Sequence, residues 1–131
     1  DEFEEIKLYL EIVSERHGNA ENFIRVLHFL GHGRGGDDAA FGFGRYMTGL
    51  DNLKAHETGA YSRFIADGGS VLMEGCSVAQ GAGGKQYLKE VARITFGNDK
   101  TGYIRGIQCN VMTSGEITTC DPITMRWPSD F

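Results

Sequence analysis

The run Val71 to Lys85, VLMEGCSVAQGAGGK, constrains this chain more than any other. Three apolar residues, Val71-Leu72-Met73, halt at Glu74-Gly75-Cys76 and give way to small residues and glycine. The next stretch, QYLKEVARITFG, resumes with apolar residues at helical spacing. That order reads as a strand, a tight turn carrying a cysteine, and a helix. A shorter run, Val26 to Gly36 (VLHFLGHGRGG), repeats the first half of the theme: an apolar strand stopped at a His-Gly pair. Two strand ends each deliver one reactive side chain, His32 and Cys76.

The remaining segments support an α/β arrangement. Phe3 to Arg16 mixes apolar and charged helix formers and predicts an amphipathic helix stopped at His17-Gly18-Asn19. Phe23 to Leu30, FIRVLHFL, predicts a buried strand, Gly31 to Gly36 a loop, and Ala39 to Gly44 a short hairpin strand. Leu50 to Ala66 reads as helical, with Leu53, Tyr61, Phe64 and Ile65 as core candidates and Gly59 as a possible break. Asp67-Gly68-Gly69 reads as a turn before a strand over Ser70 to Glu74. Gln86 to Phe96 is expected as a helix with an apolar stripe of Tyr87, Leu88, Val91, Ala92 and Ile94. Tyr103 to Met112 follows as a strand, and Ile117 to Trp127 as a further strand or hairpin broken at Pro122. Strand–helix–strand–helix–strand implies a mainly parallel sheet with right-handed crossovers and helices on its faces. Sites in such sheets form beyond the carboxyl ends of the strands, where His32 and Cys76 are expected.

At 131 residues the chain fits one domain, residues 1–131. Its abrupt DEFEE opening and PSDF close are compatible with a piece cut from a longer chain. A net charge of −5 with no concentrated basic stretch argues against nucleic acid or an anionic membrane as a main partner. No apolar run approaches the roughly 20 residues of a membrane-spanning helix. Three cysteines without a CxxC spacing form neither a disulfide framework nor a structural zinc site. Cys109 and Cys120 could pair in an oxidising compartment, but free thiols in a reducing one are the expectation. Localisation stays open between the cytoplasm and secretion as an effector domain.

Cys76 supplies a thiol where a helix begins, and both the helix N-terminus and a nearby imidazole would lower its pKa. His32 can take the thiol proton and return one to a leaving amine. Gly33 leaves a backbone N–H unobstructed, so Gly33 and Cys76 are candidate oxyanion donors. Each residue alone has a plainer explanation, a small buried Cys or a loop His; the pair at two strand ends favours chemistry. His28 and His32 have a zinc spacing only on a helix, so no metal is expected, and His28 is a core or supporting residue. GAGGK lacks the first Gly and the final Ser or Thr of a phosphate loop.

HFLGHGRGG followed by LMEGCSVAQGAGGKQYLKEVARITFG resembles the caspase-like cysteine peptidases, a group that includes caspases, metacaspases, legumain, gingipains, clostripain and separase. It looks closest to the caspase-like domain of large bacterial surface and secreted proteins, and the likeness covers Phe23 to Met112. The resemblance implies a three-layer α/β/α sandwich, a His32/Cys76 dyad, oxyanion donors at Gly33 and Cys76, and hydrolysis of protein or peptide substrates without a cofactor. The family usually carries a further strand and helix before the His strand, whereas this sequence starts at a helix, and it is shorter than most members. A cysteine endopeptidase, conceivably acting on its own parent chain, is therefore the expected function. Its rivals are a catalytically silent binding or adaptor module and acyl transfer or deamidation by the same dyad. Glu74 shares a strand face with residue 76, so an ionised Glu74 is expected to select Arg or Lys before the scissile bond. Legumain has Glu there and cleaves after Asn, so the assignment is not automatic. Oligomeric state is not legible.

Overall fold

The computed structural model describes residues 1–42, 47–75, 78–111, 114 and 116–131. Helix α1 (Glu2–Arg16) starts where the Asp1 carboxylate accepts a hydrogen bond from the Glu4 N–H. Strand β1 (Ile24–Leu30) follows, then β2 (His32–Arg34), a 3-10 turn (Gly36–Asp38), β3 (Ala40–Gly42), β4 (Thr48–Gly49) and a short helix, α2 (Leu50–Lys54). Strand β5 (Ile65–Glu74), helix α3 (Gly81–Phe96) and strands β6 (Gly102–Val111) and β7 (Ile117–Trp127) complete the chain.

The main sheet has the order β1-β5-β6-β7. β1 and β6 both run parallel to the central β5, and β7 returns antiparallel to β6. This is a mixed α/β domain with a mostly parallel sheet, as the alternating pattern predicts. A second, small sheet, β2-β3-β4, stands beside the end of β1.

One face of the main sheet builds the core. Leu27, Phe29, Val71, Met73 and Ile104 share that face by register. Helix α3 lies on it with the stripe Tyr87, Leu88, Val91, Ala92 and Ile94 wholly buried. Gly102 and Gly106 make this approach possible, because a Cβ at either would meet the Phe96 ring at 2.2 Å or the Leu88 side chain at 3.1 Å. α1 reaches the same side by stacking Phe3 on Phe29 with ring centroids 5.6 Å apart. Gly97 closes α3 with φ +65°.

Several elements differ from expectation. All three helices lie on one side, so the second helical layer of the α/β/α sandwich is missing among the described residues. β1 is accordingly not a buried strand: of its side chains only Phe29 is fully buried. The segment from Leu50 to Ala66 is not one helix. It leaves helical geometry after Lys54, passes Gly59 at φ +76°, and becomes strand from Ile65. Its backbone bonds instead to α3, the Gly59 N–H to the Arg93 carbonyl at 2.9 Å and the Tyr61 N–H to that of Ile94 at 3.0 Å. The core candidates there, Leu53, Tyr61, Phe64 and Ile65, are all buried. The Asp67–Gly69 turn is an irregularity within β5, where the register against β1 jumps between Ile24 and Val26. β7 runs unbroken through Pro122, which an edge strand tolerates because the outward side needs no N–H.

Candidate functional site

The carboxyl ends of β1 and β5 meet at a pair of glycine backbones. The Gly31 N–H donates to the Glu74 carbonyl at 3.2 Å, the last tie between the two strands. The chain then leaves the main sheet, so His32 opens β2 rather than sitting in a loop at the end of β1. β2 pairs with β3 in the register His32↔Gly42, Gly33↔Phe41 and Arg34↔Ala40. This turn folds Gly33 onto Gly75. A Cβ built on Gly75 would lie 2.7 Å from the Gly33 nitrogen and 2.9 Å from its Cα, so only glycine fits at position 75.

The glycines after the second strand have the same kind of cause. α3 begins at Gly81, five residues before its expected start, and GAGGK forms its first turn. A Cβ on Gly83 would stand 1.7 Å from the Gly36 carbonyl oxygen, and one on Gly84 2.3 Å from the Ala79 backbone. The Gly36 N–H donates to the Gln80 carbonyl at 2.8 Å. The start of α3 is therefore bare backbone so that the 3-10 turn following β2 can lie against it. Tyr87 of α3 ties down the small sheet by donating its hydroxyl to the Thr48 carbonyl at 2.7 Å, and its burial pushes the phenol pKa up. The His32 segment and the Gly75 segment are thus held together by backbone packing from both sides.

His32 itself is exposed, and its imidazole has no hydrogen-bond partner among the described residues. Cys76 and Ser77 lie outside the described residues, so the nucleophile assignment rests on sequence and on the position of its neighbour Gly75. Gly33, the candidate oxyanion donor, packs against Gly75.

Glu74 lies on the sheet face that, among the described residues, carries no helix. Its carboxylate stands 3.0 Å from His28 Nε2, both side chains being exposed. His28 is therefore not a core residue; it is the partner of Glu74. Among the described residues no three His, Cys, Asp or Glu side chains come together as a metal site.

Beside Glu74 runs a trough of about 420 Å³, lined by Gly31, Leu72, Gly75, Arg105, Ile107 and the Cys109–Cys120 pair, with Met73 behind. Arg105 escaped sequence reasoning. The alternation Tyr103, Arg105, Ile107 against Ile104 and Gly106 is the signal that puts it on the Glu74 face. Cys109 and Cys120 are directly opposite each other on β6 and β7 and form a disulfide, which corrects the expectation of free thiols. With three cysteines in the chain, that bridge leaves Cys76 as the remaining one.

Compared with models of protein families, with curated proteins and with solved structures, the chain gives no match.

Proposed function

We propose that the chain is a caspase-like cysteine endopeptidase domain in which His32 and Cys76 form the catalytic dyad. The observation that carries this reading is the contact of Gly33 with Gly75 at the carboxyl ends of two parallel strands, because their chain neighbours are the two reactive residues. In the proposed reaction His32 accepts the Cys76 thiol proton and the thiolate sulfur attacks the scissile carbonyl carbon. The resulting oxyanion takes hydrogen bonds from the Gly33 and Cys76 N–H groups. Collapse breaks the C–N bond, and the amine leaves with the proton held by His32. Water, activated by His32, then hydrolyses the thioester and returns the thiol. Glu74, at the mouth of the trough, holds a substrate Arg or Lys before the scissile bond, with His28 orienting its carboxylate. The Cys109–Cys120 disulfide favours the secreted alternative over the cytoplasmic one.

A mixed peptide library read by mass spectrometry tests the specificity. Cleavage after Arg or Lys, with KM raised more than kcat is lowered in Glu74→Gln, is the expected result. Cleavage after Asp or Asn, or selectivity unchanged in Glu74→Gln, rules the assignment out. A second reading is a silent binding module that keeps the fold; His32 is exposed and makes no hydrogen bond among the described residues. Iodoacetamide separates the two by rate: with Cys109 and Cys120 bridged, its site is not informative. An activated Cys76 reacts well below the pH of an ordinary thiol, whose pKa is about 8.5.

A further inference from the structure

We propose that Gln80 is a positioning residue for the dyad, one that fastens the chain leaving Cys76 both to β6 and to the chain leaving His32. Its effect on turnover rests on the peptidase reading; its geometry does not. Gln80 stands at the N-cap of α3. Ser, Thr, Asp and Asn are favoured there, because their short side chains reach the first helical N–H groups. The Gln80 side chain makes no such bond to the helix. Its Oε1 instead accepts the Cys109 N–H of β6 at 2.7 Å. A backbone N–H only donates, so this partner fixes which end of the amide faces β6.

The Gln80 backbone serves two further elements. Its carbonyl accepts the Gly84 N–H at 3.0 Å, inside the first turn of α3, and the Gly36 N–H at 2.8 Å. Gly36 opens the 3-10 turn that follows β2, the strand that begins with His32. Gln80 therefore joins β6, the start of α3 and the segment leaving His32.

The residues before Gln80 repeat the attachment to β6. Pairing between β5 and β6 runs to Leu72↔Arg105, and β5 ends at Glu74. Farther along β6 the Ile107 carbonyl accepts the Ala79 N–H at 2.9 Å. Val78 and Ala79 are wholly buried, and a Cβ on Gly106 would stand 3.0 Å from the Ala79 Cβ. On the other side of Cys76, Gly75 packs on Gly33. The described residues on both sides of Cys76 are thus anchored, and Gln80 completes the downstream anchor. Cys109 is almost wholly buried, so loss of the Gln80 acceptor leaves its N–H without an easy replacement. A shift of about 1 Å between reacting groups can cost about 10²-fold in rate.

Two variants test this. Gln80→Met keeps the length of the side chain and removes the acceptor, whereas Gln80→Glu keeps an acceptor oxygen at the same reach. On an Arg-containing peptide, Gln80→Met should lower kcat at least about tenfold with KM within about twofold of the parent. Gln80→Glu should keep at least about half of the parent kcat. Iodoacetamide reports on Cys76 without turnover, since Cys109 and Cys120 are bridged. The pH midpoint of alkylation should rise in Gln80→Met toward the ordinary thiol value of about 8.5, and stay at the parent value in Gln80→Glu. That alkylation pattern in a parent that cleaves no peptide would sink the peptidase reading and leave the positioning role standing. A Gln80→Met midpoint equal to that of the parent overturns the proposal, whether or not peptides are cleaved, as do equal changes in the two variants.

Discussion

The two faces of the main sheet are made from the same strands and treated in opposite ways. On one, Val71, Met73 and Ile104 are buried beneath α3, and glycines at 102 and 106 bring the helix close. On the other, Leu72, Glu74, Tyr103 and Arg105 stand next to the same residues in sequence and carry no helix among the described residues. Parallel strands ordinarily have both faces covered. Here, among the described residues, one face is packed under α3 and the other is not, with the candidate site at their shared carboxyl edge.

Polar groups divide the same way. On the covered side Arg93 donates to the Leu53 carbonyl at 3.0 Å, the His56 carbonyl at 2.8 Å and Thr58 Oγ1 at 3.0 Å, and it pairs with Glu90. Lys100 is held by the Ser62 and Ile65 carbonyls and Asn22. These cations fasten non-helical backbone onto the α3 side. On the open face Glu74 has one exposed histidine partner.

Breaking the covered side should cost most. Arg93→Ala removes three contacts and strands the poorly accessible Glu90 carboxylate, so a loss of about 3 kcal/mol is expected in urea unfolding. Losing the Cys109–Cys120 bridge on the open face should cost about 2 to 3 kcal/mol, since it closes a loop with a sequence separation of 11. Comparison of unfolding midpoints for Cys109→Ser/Cys120→Ser and the parent checks it. Two valines on adjacent strands then sharpen the contrast. Val71→Ala, wholly buried, should cost about 2 kcal/mol, and Val26→Ala, on the open face, within about 0.5 kcal/mol. Equal costs would mean the two faces do not differ as described.

The smallest effect concerns pH. The Thr101 N–H, donating at 2.8 Å, and the Thr101 hydroxyl hold the Asp67 pKa below its ordinary 3.8. A depressed carboxylate pKa stabilises the fold above the unfolded value and loses that contribution as pH falls through the folded one. Stability differences between the parent and Asp67→Asn should therefore be present above about pH 4 and vanish in stronger acid.

How much of this was legible follows from burial. α3 and its stripe were readable because the helix is amphipathic and packs on one side, so its period survives in sequence. The parallel pairing of β1, β5 and β6 was readable from the alternation of strands and helices. β1 was misread because FIRVLHFL is as apolar as a buried strand, and no local pattern says that Val26 and Leu30 meet no helix. The stretch Leu50–Ala66 was misread because its backbone bonds to α3, a partner distant in sequence. At the candidate site, the His-Gly halt marked where the chain leaves β1, and Gly75 explains itself only in three dimensions, through its contact with Gly33. Arg105 and the Cys109–Cys120 bridge depended on the β6/β7 register.

The dyad is the central claim, and peptide hydrolysis by four proteins tests it most directly. Cys76→Ala should abolish turnover of an Arg-containing peptide, and His32→Ala should lower it by about 10³-fold or more, as loss of a triad member does elsewhere. His28→Ala should leave most of the parent rate, because that residue acts through Glu74. Turnover by Cys76→Ala near that of the parent, or equal losses for His28→Ala and His32→Ala, would contradict the account.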